Sequence, residues 1–104
     1  MIRTVLTLGV SPHRVNEVVE IYREAKILQY SLDHSEALAS ELSVALDGSG
    51  DVMVTALWPS AASYHSWLDN PWRANSSDEL CKLLSEGEVG AGVLFEIVQS
   101  VVKA

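Results

Sequence analysis

Residues 48–73 read GSGDVMVTALWPSAASYHSWLDNPWR, a stretch that contains a turn, a strand and a helix start in that order. With Asp47, the Gly48-Ser49-Gly50 loop joins ALASELSVAL (37–46) to DVMVTALW (51–58) as a short antiparallel hairpin, because glycine supplies the backbone freedom of a tight reversal. Pro59 has no amide hydrogen for a ladder, so the strand stops at Trp58, and Ser60 caps a short helix that reaches about Asp69. On that helix Tyr64, Trp67 and Leu68 stand at i, i+3 and i+4 and share one inward face. Asn70-Pro71 starts a further helix by the same logic of a cap followed by proline. All three tryptophans, Trp58, Trp67 and Trp72, fall in this stretch, which makes it core, ligand pocket or both.

Working outward, Ile2 to Val10 is rich in β-branched residues and stops at Ser11-Pro12, where serine caps a helix and proline takes its first turn. From His13 to Leu32, the residues Val15, Val18, Val19, Tyr22, Ala25, Leu28 and Leu32 recur at spacings of three and four, which predicts one amphipathic helix. Ser76 to Glu79 is a capping box ahead of LCKLL, and GVLFEIVQSVV (92–102) predicts the last strand. The order β-α-β-β-α-β is the α+β, ferredoxin-like split βαβ plan with an antiparallel sheet, expected over residues 1–104 as one domain.

Alternate side chains of a strand face opposite sides, so parity reports how many faces are covered. In the last strand Val93, Phe95, Ile97 and Val101 lie on one side, and Leu94, Val98 and Val102 on the other; the strand before the first Trp shows Val52, Val54, Ala56 and Trp58 against Met53, Thr55 and Leu57. Both faces are largely apolar, although Glu96 and Ser100 share the second side of the last strand, yet the helices of this plan cover only one. The expected partner is a second copy of the chain, in a homodimer joined through the sheet face.

At 104 residues the chain is long enough for a core without staples. The single Cys81 excludes an internal disulfide and thiolate zinc, and fits a reducing compartment. Fourteen acidic and seven basic residues give a net charge of −7, and the basic residues are scattered, which argues against nucleic acid as a partner. No segment approaches the ~18 apolar residues of a membrane span, and the N-terminal run lacks a cleavage signature, so a cytoplasmic location is expected. His13 and His34 have no helical-spacing ligand partner, so no metal is expected, and His65 falls off the inward stripe. No nucleophile elbow or Cys-His signature accompanies the Ser, His and Asp residues.

The run of Trp58, Ser60, Tyr64, Trp67 and Asn70-Pro71 behind a hairpin, followed by GAGVLFEIV, resembles the antibiotic-biosynthesis-monooxygenase domain family of dimeric α/β barrels. The likeness extends more loosely over nearly all of the chain. It implies a small cofactor-independent monooxygenase acting on an aromatic or quinone-like metabolite, with no cofactor. In haem-degrading members a helix Trp is followed nine or ten residues later by an axial His, and an Asn lies on the first strand. Trp67 matches that Trp, but the His positions hold Ser76 and Ser77 and the first strand has no Asn, so the haem alternative lacks its ligand.

The monooxygenase reading needs a dry aromatic cavity between helices and sheet. Trp67 and Asn75 are then the catalytic candidates, with Tyr22, Trp58, Tyr64 and Arg73 binding substrate: the aromatics as walls, Arg73 as the partner of a phenolate or carboxylate, and Asn75 as a hydrogen-bond donor to the same group. Trp72 is expected at the helix junction or the dimer edge. The residues themselves leave open a purely structural role for the aromatics and an Arg73 that snorkels to water. They also leave open an isomerase, or a ligand-binding dimer without catalysis, on the same scaffold.

Overall fold

The computed structural model describes residues 1–71, 73 and 91–103. Four strands, β1 (Ile2–Leu8), β2 (Ala39–Val44), β3 (Val52–Trp58) and β4 (Val93–Glu96), form one antiparallel sheet in the order β2-β3-β1-β4. The register sets Ile2 opposite Trp58 and Leu8 opposite Val52 on one side of β1, and Ile2 opposite Glu96 on the other. This is the ferredoxin-like arrangement, with β3 lying antiparallel between β1 and β2.

The β2–β3 hairpin turns on glycine for two reasons. Gly48 and Gly50 both have positive φ, and a Cβ on Gly50 would fall 2.7 Å from the Val10 carbonyl oxygen. The hairpin tip therefore packs directly on the end of β1.

Three α-helices lie among the described residues: α1 (Val15–Glu24), α2 (Ile27–Asp33) and α3 (Ala61–Leu68), with a 3₁₀ turn at Pro12–Arg14 leading into the first. The single helix expected over His13 to Leu32 is thus two. Lys26 sits in the left-handed region at φ 51, and α2 restarts immediately after it. That conformation costs a non-glycine residue roughly 1–2 kcal/mol, offset here by packing Ile27 and Leu28 onto the core. No glycine or proline marks the break. Ser60 caps α3 as expected, its hydroxyl accepting the Ser63 amide at 3.3 Å.

The helices cover the even-numbered face of the sheet, where Thr4, Leu8, Val52, Ala56 and Trp58 are buried. Among the described residues no helix lies over the odd-numbered face, where Met53, Val93 and Phe95 are exposed. The last strand is shorter than expected. Pairing ends where β1 does, with the Ile97 amide donating to the Met1 carbonyl at 3.1 Å, and among the described residues no strand lies beside those that follow. Val98, Val101 and Val102 are left 83, 96 and 86 % exposed. The capping box at Ser76–Glu79, the helix expected at LCKLL, Trp72, Asn75 and Cys81 lie outside the described residues. Among the described residues no helix is long and apolar enough to cross a membrane.

Candidate functional site

Two packed clusters fill the layer between helices and sheet, one at each end of β3. At the C-terminal end, Trp58 is 2 % exposed and its indole Nε1 donates to the Thr4 hydroxyl on β1 at 3.0 Å. Tyr64 of α3 meets it edge-on, with ring centroids 5.2 Å apart and planes at 68°, the arrangement that the aromatic quadrupoles favour. The Tyr64 hydroxyl in turn accepts the Gly92 amide at 2.6 Å, which ties α3 to the approach of β4. A Cβ on Gly92 would meet that hydroxyl at 3.1 Å and the Val5 carbonyl oxygen at 3.2 Å, so the position has little room for a side chain.

Trp67 and Leu68 pack half-buried against the same Ala56–Trp58–Tyr64 cluster, as their spacing with Tyr64 predicts. The other side of Trp67 borders a polar recess of about 260 Å³ with Asp33, Glu36, Ser63, Ser66 and Asn70. Asn70 fixes one wall of it by donating to the His34 carbonyl at 3.1 Å. His65 is exposed, as its place off the inward stripe requires.

At the N-terminal end of β3, Tyr22 of α1 is 8 % exposed among Leu8, Val10, Val18 and Val52. Burial pushes its phenol up to about 12, and the opposing pull of the Arg73 guanidinium only partly offsets that rise. Arg73 is half-buried and follows α3, its amide donating to the Asn70 carbonyl at 3.1 Å.

The expected site residues therefore divide. Trp58, Tyr64 and Trp67 stand together; Tyr22 stands in the other cluster, within electrostatic reach of Arg73. Asn75 lies outside the described residues. Two residues that the sequence pattern did not single out complete the first cluster, Thr4 and Gly92. Thr4 shares the parity of Ile2, Leu6 and Leu8 and so faces the helices, a signal the alternation carries; the Gly92 contact spans 28 residues and has no local signal. Among the described residues no group of three or more His, Cys, Asp or Glu side chains is placed to hold a metal ion.

No family model and no curated protein matches the sequence. Solved structures do match its fold. A protein from Deinococcus radiodurans, provisionally described as an antibiotic biosynthesis monooxygenase, superimposes with a TM-score of 0.76 at 18 % identity over 100 % of this chain and 99 % of its own. SnoaB from Streptomyces nogalater, described as a cofactor-independent oxygenase, gives 0.73 at 14 % identity over 98 % and 97 %. A third, from Nitrosomonas europaea and provisionally described like the first, gives 0.73 at 10 % identity over 93 % and 89 %. The chain thus has the fold of structures described as antibiotic biosynthesis monooxygenases.

Proposed function

We propose that the chain is a cofactor-independent monooxygenase of an aromatic or quinone-like metabolite, and that it works as a homodimer joined through the odd-numbered face of the sheet. The observation that carries this reading is the aromatic cluster of Trp58, Tyr64 and Trp67 at α3, beside a second cluster where the Arg73 guanidinium acts on a buried phenol. Such a layer suits a flat, electron-rich substrate that holds an anionic oxygen. Its fold is that of a protein described as a cofactor-independent oxygenase.

In this chemistry the substrate supplies its own electrons. A phenol or anthrone that has lost a proton forms a carbon–oxygen bond to dioxygen, and the resulting hydroperoxide loses water as the ring carbonyl forms. A methylene and O₂ thereby become a carbonyl and H₂O, with no external reductant. The protein must hold the anion and exclude water. In this reading Trp67 contacts the ring, Arg73 balances charge, and Asn75 supplies the remaining hydrogen bond to the same oxygen.

Oxygen uptake with a panel of anthrones and hydroquinones, without added metal, flavin or haem, is the test. Uptake matched by quinone formation, and lost in Trp67→Ala, is the expected result. No uptake across the panel sinks the reading.

The dimer rests on the exposed Met53, Val93 and Phe95 of one face and on the apolar tail of Val98, Val101 and Val102. Burying such side chains contributes ~1.5–3 kcal/mol each. Light scattering is expected to give twice the chain mass. Val98→Asp is expected to halve that mass without unfolding the chain, since Val98 is 83 % exposed in a single copy. A monodisperse wild-type monomer at micromolar concentration would remove the dimer from the proposal.

A further inference from the structure

Two features at opposite ends of the sheet match in character. One is the tail that follows β4. It leaves the sheet beside Met1, and its Val98, Val101 and Val102 are almost wholly exposed, so they do not pack on their own chain. Across residues 97–103 the single charge is that of Lys103. The other feature is a groove of about 410 Å³ at the far end. Thr7, Ser43 and Met53 of the odd-numbered face line it, side by side in register across β1, β2 and β3, together with Val44, Ala45 and Asp51 at the hairpin. Met53 and Val44 are 38 and 40 % exposed there, and Asp51 is the one charged residue in the lining.

A single copy does not bring the two together. β4 runs from Val93 opposite Val5 to Glu96 opposite Ile2, so the chain is heading away from the groove when it leaves the sheet. The seven residues of β1 separate the two ends, ~20 Å at ~3.3 Å per residue. Two copies do so twice. With the odd-numbered faces together, a two-fold axis perpendicular to the strands lays the tail end of each sheet over the groove end of the other, whereas an axis along the strands sets tail end on tail end. The first arrangement covers the valines with the apolar side chains of the groove and brings the cation of the tail to the anion of the groove. Because Asp47 also lies exposed at this end, an acidic occupant would be repelled there.

Resting on the homodimer part of the reading above, we propose that residues 98–103 of each copy seat in the groove of the other, the valines against Val44, Ala45 and Met53 and Lys103 beside Asp51. The seating fixes the two-fold axis perpendicular to the strands, so that the strands of the two sheets run antiparallel across the interface.

Cross-linking tests this. With the one cysteine removed by Cys81→Ser, full-length Val101→Cys and Val44→Cys chains are mixed and treated with a short bismaleimide, whose reach tolerates a shift of a residue or two. The mixture is expected to give a linked pair with one chain of each kind, while each variant alone stays unlinked, since the axis keeps tail from tail and groove from groove. Val101→Cys linking to itself would mean tail end on tail end and overturns the proposal. A second measurement keeps Cys81 in place: Asp51→Lys and Lys103→Asp each set like charges together at both contacts, and each is expected to weaken its own dimer by roughly tenfold. Mixed in equal amounts, the two variants regain opposite charges at both contacts, so the heterodimer is expected to predominate in native mass spectra. Statistical mixing with unchanged affinities overturns the seating while a dimer still stands. A wild type that stays monomeric removes the homodimer reading itself, and the seating with it.

Discussion

The two ends of β3 bury aromatic residues by different means. Around Trp58 the polar atoms of the two buried aromatics are used by the fold: the indole holds Thr4 and the Tyr64 hydroxyl holds Gly92. Around Tyr22 the packing is as apolar, but among the described residues its hydroxyl has no hydrogen-bond partner, and the Arg73 guanidinium acts on it. Hydrogen bonds that cross the sheet make the first end a fastening, linking β1, β3, α3 and the start of β4. The second end spends none of its polarity on the fold. Trp67 packs on the first cluster but is only half-buried.

The largest expected effect falls on the fastened end. Trp58→Ala removes a nearly fully buried indole and strands the Thr4 hydroxyl, itself 4 % exposed, so urea denaturation is expected to show a loss of ~3–5 kcal/mol. A loss under about 1 kcal/mol would mean that the cluster collapses around the gap and is no fastening. Trp67→Ala, at a half-buried site, is expected to cost less, ~2 kcal/mol, and to abolish aromatic ligand binding; Trp67→Phe keeps most of the volume and should recover much of the stability.

At the other end the comparison can be read by pH. Tyr22 has a folded pKa of about 12 against an ordinary value of 10.0. Between these values the unfolded chain has released the proton and the folded chain still binds it, so stability falls as pH rises through that window. The contribution is fully present below about pH 10, declines by up to roughly 2–3 kcal/mol, and levels off above the folded pKa. Since other groups also titrate there, the measurement is the difference between wild type and Tyr22→Phe in urea midpoints across the window. Parallel curves would show that Tyr22 is less shielded from water than its packing indicates.

How far the sequence foretells this arrangement depends on the range of each signal. The hairpin, the stop at Trp58 and the start of α3 are written in neighbouring residues, Gly48, Gly50, Pro59 and Ser60, and all are found. The helix break is not, because Lys26 adopts the left-handed conformation only to let Ile27 and Leu28 reach the core. Nor is the length of β4, which is set by where β1 stops being available, at the opposite end of the chain. The same limit divides the site. Periodicity says that Tyr22, Tyr64 and Trp67 point inward, but which end of the sheet each meets follows from register, Ile2 opposite Trp58 and Leu8 opposite Val52, and from helix placement.

The smallest expected effects come from one substitution made twice. Tyr64→Phe deletes the acceptor of the Gly92 amide and leaves that amide without its partner; because Gly92 leads into β4, the loss is expected at ~1–2 kcal/mol, with faster hydrogen exchange at β4 amides. Tyr22→Phe removes an oxygen that the described fold does not use and keeps the packed ring. At neutral pH its stability is therefore expected to stay within about 0.5 kcal/mol of the wild type, or to rise slightly, since a largely desolvated hydroxyl is removed along with its cost. The two variants differ in which end of β3 they touch, and both keep the ring. Equal losses in both would mean that the fold relies on the Tyr22 hydroxyl as much as on that of Tyr64, and the division between a fastened end and a free one would dissolve.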